Sequence, residues 1–111
     1  MDNLKVISVA DFATIPGARY RTDGDNSAQE FFEDVVKEIA DAQLLNSSSG
    51  GIMIDLDYTR GYPSSFISEL SKSMSINYKK VKKIKKRLII KSEENPGLIE
   101  RFWDGFKQKY S

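Results

Sequence analysis

The sequence predicts an α/β domain in which a small mixed or parallel sheet is covered by helices. Three observations predict it. Short β-branched runs near residues 4–9, 52–58 and 88–92 alternate with longer stretches of helical periodicity. The run at 52–58 starts apolar on both faces, as an interior parallel strand does. The chain of 111 residues suits one domain, with no internal repeat and no second core. Alternation of this kind argues for a layered sheet.

The elements follow in order. Residues 4–9, LKVISV, put Leu4, Val6 and Ser8 on one face and Lys5, Ile7 and Val9 on the other. Residues 14–26 form a polar loop punctuated by Pro16, Gly17 and Gly24. Ser27 to Glu30 then read as a capping box: the Ser27 hydroxyl accepts from the Glu30 amide while the Glu30 side chain reaches back. Phe31, Phe32, Val35, Val36, Ile39 and Leu44 supply the stripe of a helix ending near Leu44, before the Asn46–Gly51 linker. Asp34, Lys37 and Glu38 lie off that stripe and are solvated.

The strand at 52–58 sets Ile52, Ile54, Leu56 and Tyr58 on one face and Met53, Asp55 and Asp57 on the other. A turn, TRGYP, leads into a helix whose cap is Ser64 or Ser65 and whose buried stripe is Phe66, Ile67, Leu70 and Met74. Tyr78, Val81, Ile84 and Leu88 mark a helical apolar edge through a basic run, with the break to a strand near Lys85–Arg87. Asn95-Pro96 starts a last helix, with Pro at its first position and Leu98, Ile99, Phe102, Trp103, Phe106 and Tyr110 on its apolar face.

Composition narrows function before any motif does. The chain has no cysteine and no histidine. That removes disulfides, thiolate zinc sites, cysteine nucleophiles, serine–histidine triads and the usual general base near pH 7. No apolar run approaches the ~18 residues of a membrane helix, and the N-terminus has no signal-peptide core, so a cytoplasmic, non-membrane protein is expected. The net charge of +1 hides an asymmetry. Residues 1–75 hold 6 Lys/Arg against 12 Asp/Glu, and residues 76–111 hold 11 against 4. Most of the basic excess is Lys79, Lys80, Lys82, Lys83, Lys85, Lys86 and Arg87.

Two segments carry a resemblance. The first is PGARYRTDGDNSAQEF, residues 16–31; the second is IMIDLDYTRGYPSSFISEL, residues 52–70. They resemble the STAS-like family of small bacterial and phage proteins of unknown function, itself similar to the STAS domain of anti-sigma-factor antagonists. The shared residues are Arg19, Tyr20, Arg21, Asp23, Gly24, Ser27, Glu30 and Phe31 in the first and Asp55, Ser64, Ser65 and Phe66 in the second. Ala18 and Ala28 stand where glycines are usual. True antagonists carry D-S-S-G at the turn; here Pro63 and Phe66 flank the serines instead of Asp and Gly. The resemblance implies a single STAS-like domain over 1–111 and a regulatory protein. It also implies a protein partner of the ATP-binding, histidine-kinase-like class.

The candidate sites are four. Ser64 and Ser65, with Tyr62 and Phe66, are a helix cap, a phospho-acceptor turn for a partner, or both. Arg19, Tyr20, Arg21 and Asp23 form either local turn structure or an anion- or partner-binding loop, with Asp55 and Asp57 as carboxylates for the arginines. Those two aspartates at i, i+2 are a weak Mg²⁺ signal, and no metal, cofactor or enzymatic activity is expected. The run Lys79–Arg87 is a solvated helix face or, as the alternative function, a nucleic-acid patch acting through phosphate contacts. The aromatic stripe of the last helix is core, or a docking surface for a partner or a second copy.

Overall fold

The computed structural model describes residues 3–108, and side chains up to Phe106. Three parallel strands form the sheet in the order β1-β2-β3: β1 is Leu4–Ser8, β2 Gly51–Asp55 and β3 Leu88–Lys91. A one-turn helix, α1 (Val9–Phe12), follows β1 at the position expected to close that strand. The helix α2 spans residues 28–45, α3 is Ser64–Tyr78, α4 is the single turn Ile84–Arg87 and α5 is Gly97–Gln108. The mixed-or-parallel expectation thus resolves as all parallel, with β2 inside the sheet.

The register aligns Ile7, Ile54 and Ile90 across the sheet, and Ile52 with Leu88. All five side chains are buried and belong to one core with Phe31, Val36, Phe66, Leu70, Met74, Tyr78 and Phe102 from the helices. Side chains alternate along a strand, so Leu4, Val6, Met53 and Ile89 point the other way. None of them joins that core, and Val6 is 61% exposed. The buried apolar residues of the helices gather on the Ile54 face, while Leu4, Met53 and Ile89 opposite are half-buried, an asymmetry unusual for a parallel sheet.

Within α2 the turns alternate. Ala28–Phe31 and Lys37–Ala40 are α-helical, while Phe32–Val36 and Asp41–Leu45 are π turns. The buried positions explain it. Ala28, Phe32, Val36, Ala40 and Leu44 are all buried and recur every four residues. A period of four drifts off the face of a helix with 3.6 residues per turn. Wider i→i+5 turns keep the stripe on the sheet.

Ser27 caps α2 as expected, accepting from the Glu30 amide at 3.1 Å. The Glu30 carboxylate reaches back one residue further than a capping box requires, to the Asn26 amide at 3.2 Å. Three further expectations are corrected. Tyr58 does not continue the buried face of β2: the strand ends at Asp55, and Tyr58 is left-handed (φ 71°) and 70% exposed. The basic run is not one helix: α3 ends at Tyr78, and Lys83, at φ 56°, starts α4 from a left-handed residue. The last helix starts at Gly97, directly after Pro96. Its Tyr110 lies outside the described residues.

The most extensive helix contact is between α3 and α5. The Ser71 hydroxyl donates to the Phe102 carbonyl and that of Ser75 to the Phe106 carbonyl. A β-carbon on Gly105 would stand 2.8 Å from Ser71 Oγ. Small residues on both sides let the two backbones approach.

Candidate functional site

The candidate site gathers at the carboxyl end of the sheet, around the turn that follows β2. Leu56 still pairs with β3, its amide donating to the Lys91 carbonyl at 2.9 Å. Asp57 then turns inward and is 2% exposed. Its carboxylate accepts from the amides of Glu93 and Glu94, the Ser92 hydroxyl and the Lys91 ammonium. Burial alone would raise its pKa; the Glu93 and Glu94 amides, with Lys91 and Ser92, outweigh burial and hold the carboxyl below its usual range. Asp57 is therefore the clamp that joins the loops after β2 and β3, not an open strand-end carboxylate.

Asp55 is half-buried, accepts from the Asp57 amide at 2.9 Å and lies 3.7 Å from the Lys91 ammonium. Among the described residues neither aspartate meets an arginine. Among the described residues no group of acidic side chains is placed to hold a metal ion.

The loop 16–26 is committed to local structure. Gly17 fits because any β-carbon there would sit 2.2 Å from the Asp25 carbonyl. Arg19 pairs with Glu69 of α3 at 3.4 Å and lies over the Tyr20 ring. Arg21 pairs with Glu33 and Asp34 of α2 at 3.2 and 2.8 Å; the hydrogen bonds to Asp34 and Glu33 raise its pKa. The Tyr20 amide donates to the Asp23 carboxylate at 3.0 Å. Both guanidinium groups expected to bind an anion are occupied by carboxylates.

The serine turn is arranged differently. Arg60 anchors it, its backbone amide donating a hydrogen bond to the Thr14 carbonyl at 2.8 Å, and Gly61 has φ 118°, a conformation open to glycine. The Tyr62 hydroxyl donates to the Leu56 carbonyl at 2.7 Å, and its ring lies 5.4 Å from that of Phe66. Burial, with the negative charges of Asp55, Asp57 and Glu94, pushes the Tyr62 phenol up, so it is a neutral donor. Phe66 is fully buried and braces Tyr62 from below rather than facing a partner.

The N-cap of α3 is Pro63, which offers no side-chain bond. Ser64 and Ser65 are the first two helical residues, so the cap assigned to them is absent. Ser64 is exposed and Ser65 half-buried, and neither hydroxyl makes a hydrogen bond within the described residues. Beside the turn opens a cleft of about 300 Å³ between Arg60, Tyr62, Glu94, Asn95 and Arg101.

The basic run lies at the opposite end of the sheet, before β3. Lys79, Lys80, Lys82, Lys83, Lys85 and Lys86 are exposed, with Lys85 over the Trp103 ring at 5.5 Å. Arg87 does not belong with them. It is buried, and its guanidinium donates to the carbonyls of Gly50, Gln43 and Ser47 at 2.7, 2.8 and 2.6 Å. Sequence reasoning missed this role, and it missed Gln43, whose buried amide donates to the Asn3 and Gly51 carbonyls. The signal for both is the Ser/Gly-rich linker at 46–51, whose backbone has few side chains of its own to satisfy it.

Among the described residues no helix is long and apolar enough to cross a membrane. Comparison of the chain with protein-family models, with curated proteins and with solved structures returns no match.

Proposed function

We propose that this chain is a non-enzymatic regulatory module that binds another protein through the turn after β2, under control of phosphorylation at Ser64. The observation that carries the reading is the idle pair of serines. A hydroxyl that caps a helix is already used; these two are free, and Ser64 faces solvent at the start of a 15-residue helix. A phosphate on Ser64 would add about −1.5 to −2 charges. The unpaired amides and dipole of the α3 N-terminus would receive it without unfolding the helix. A partner packed flat on the turn would meet that charge across a desolvated contact and be displaced. The STAS-like resemblance supplies the partner class, an ATP-binding protein of the histidine-kinase-like kind.

The test is mass spectrometry of the chain isolated from its own host, beside its Ser64→Ala and Ser65→Ala variants. Phosphate is expected on the parent and on Ser65→Ala, and absent from Ser64→Ala. A parent chain free of phosphate in every growth phase overturns the switch.

A second reading is a small nucleic-acid-associated protein. The observation favouring it is the grouping of the six exposed lysines on one segment, away from the serine turn. No stacking platform accompanies them, and this reading ranks below the first.

A further inference from the structure

We propose that two copies of this chain pair edge to edge through β1, antiparallel about a two-fold axis at Val6, each lodging Lys5 in the groove of the other. Among the described residues β1 is bonded to β2 on one side only. The Gly51 amide donates to the Asn3 carbonyl at 3.0 Å. Parallel ladders alternate, so the backbone groups of Lys5 and Ile7 also turn to β2, and those of Leu4 and Val6 turn outward. Such a row of unpaired donors and acceptors is a template for another strand.

A groove of about 230 Å³ runs beside this edge. Its walls are Val6, Ile7, Phe12, Val35 and Ile39, and Asp11 supplies a carboxylate. Apolar walls with one carboxylate suit a side chain that has an aliphatic stem and a cationic tip. The same edge strand carries one. Lys5 is exposed, shares its sheet face with Ile7, and forms no ion pair among the described residues; nor does Asp11. Antiparallel pairing about Val6 joins the outward backbone groups of the two Val6 residues. It sets Lys5 opposite Ile7 of the second copy, at the mouth of that copy's groove. The stem then lies along the apolar walls and the ammonium reaches Asp11. The two-fold repeats the contact in reverse, so the interface closes as a dimer rather than growing into a filament.

Charge complementarity selects the second copy over an unrelated strand and makes the proposal testable by charge exchange. Sedimentation velocity is measured from micromolar to near-millimolar concentration on the parent, Lys5→Glu, Asp11→Lys and the double variant, with circular dichroism to confirm folding. The parent should dimerise. Each single reversal should weaken association by about tenfold or more, because like charges then face each other. The double variant should regain the parent's dissociation constant within a few-fold. Val6→Pro, which removes an outward amide that no bond among the described residues uses, should fold and stay monomeric. A parent that is monomeric throughout overturns the proposal. So does a dimer indifferent to the single reversals, or one that the double variant fails to restore.

Discussion

Two buried charged residues, Asp57 and Arg87, hold the ends of the sheet, and in the sequence both look like exposed groups. The reason is physical: a lone charged residue is solvated by default, and only a set of backbone partners from distant segments offsets its burial. Those partners sit 34 or more residues away from each of the two, where no local pattern reveals them. Asp57→Ala would leave the Glu93 and Glu94 amides unpaired and should cost ~3 kcal/mol by chemical denaturation. Asp57→Asn should cost less, and its deficit should depend on pH. The folded carboxyl titrates below its ordinary 3.8, so its stabilisation is complete above that value and is lost as pH falls through the folded pKa. The stability gap between parent and Asp57→Asn should therefore narrow below pH 3.8, and a gap that is constant with pH would contradict the clamp. Arg87→Lys keeps the charge but loses the fork that serves three carbonyls; a cost of ~2 kcal/mol or more is expected in the same measurement.

At the scale of elements, the sequence is most legible where an apolar period is strong. The α3 stripe of Phe66, Ile67, Leu70 and Met74 is buried as its spacing predicts, and β2 is the interior strand. The strict four-residue period of α2 is equally present in the sequence, and it encodes the wide turns. The start of α3 misleads because serine near a helix start is normally a cap, whereas the proline before it takes that position here. The consequence is measurable. Ser64→Ala and Ser65→Ala should each change stability by less than ~0.5 kcal/mol, unlike the ~1 kcal/mol that removal of a true cap costs. Ser27→Ala, which does remove a cap bond, should show that larger loss. At the α3–α5 contact, Gly105→Ala would press a methyl group onto Ser71 and should destabilise by ~1–3 kcal/mol. Combining it with Ser71→Ala should relieve part of the cost, which a double-mutant cycle would detect.

Over the whole molecule, charge and topology each run in one direction. Acidic loops close one end of the sheet and the lysine segment closes the other. If that segment works on nucleic acid, Lys80, Lys82 and Lys83 exchanged for Gln should lower affinity for mixed-sequence DNA. They should also flatten the log–log salt slope by ~0.9 for each phosphate the protein no longer neutralises. The expected result is weak, non-specific binding throughout, and a salt-resistant or sequence-selective complex would reverse the order of the two readings. The strand order β1-β2-β3 explains why α2 and α3 share one face of the sheet. Crossovers that step the same way with the right hand general to parallel strands lay α2 and α3 on the same side, and no reversal of order exists to create a crevice between strands. This winding also sets a timetable. β1 and β3 are each held by β2 alone, but β1 joins β2 through the longer of the two crossovers, the one that carries α2. Loop closure on that scale slows docking, so β1 should be the last strand to arrive on refolding and the first to leave. In native-state hydrogen exchange the Lys5 and Ile7 amides should open well before those of Ile52 and Ile54. In a chain that dimerises through β1, that early opening should slow as protein concentration rises, so a kinetic weak point of the monomer becomes a sensor of its own abundance.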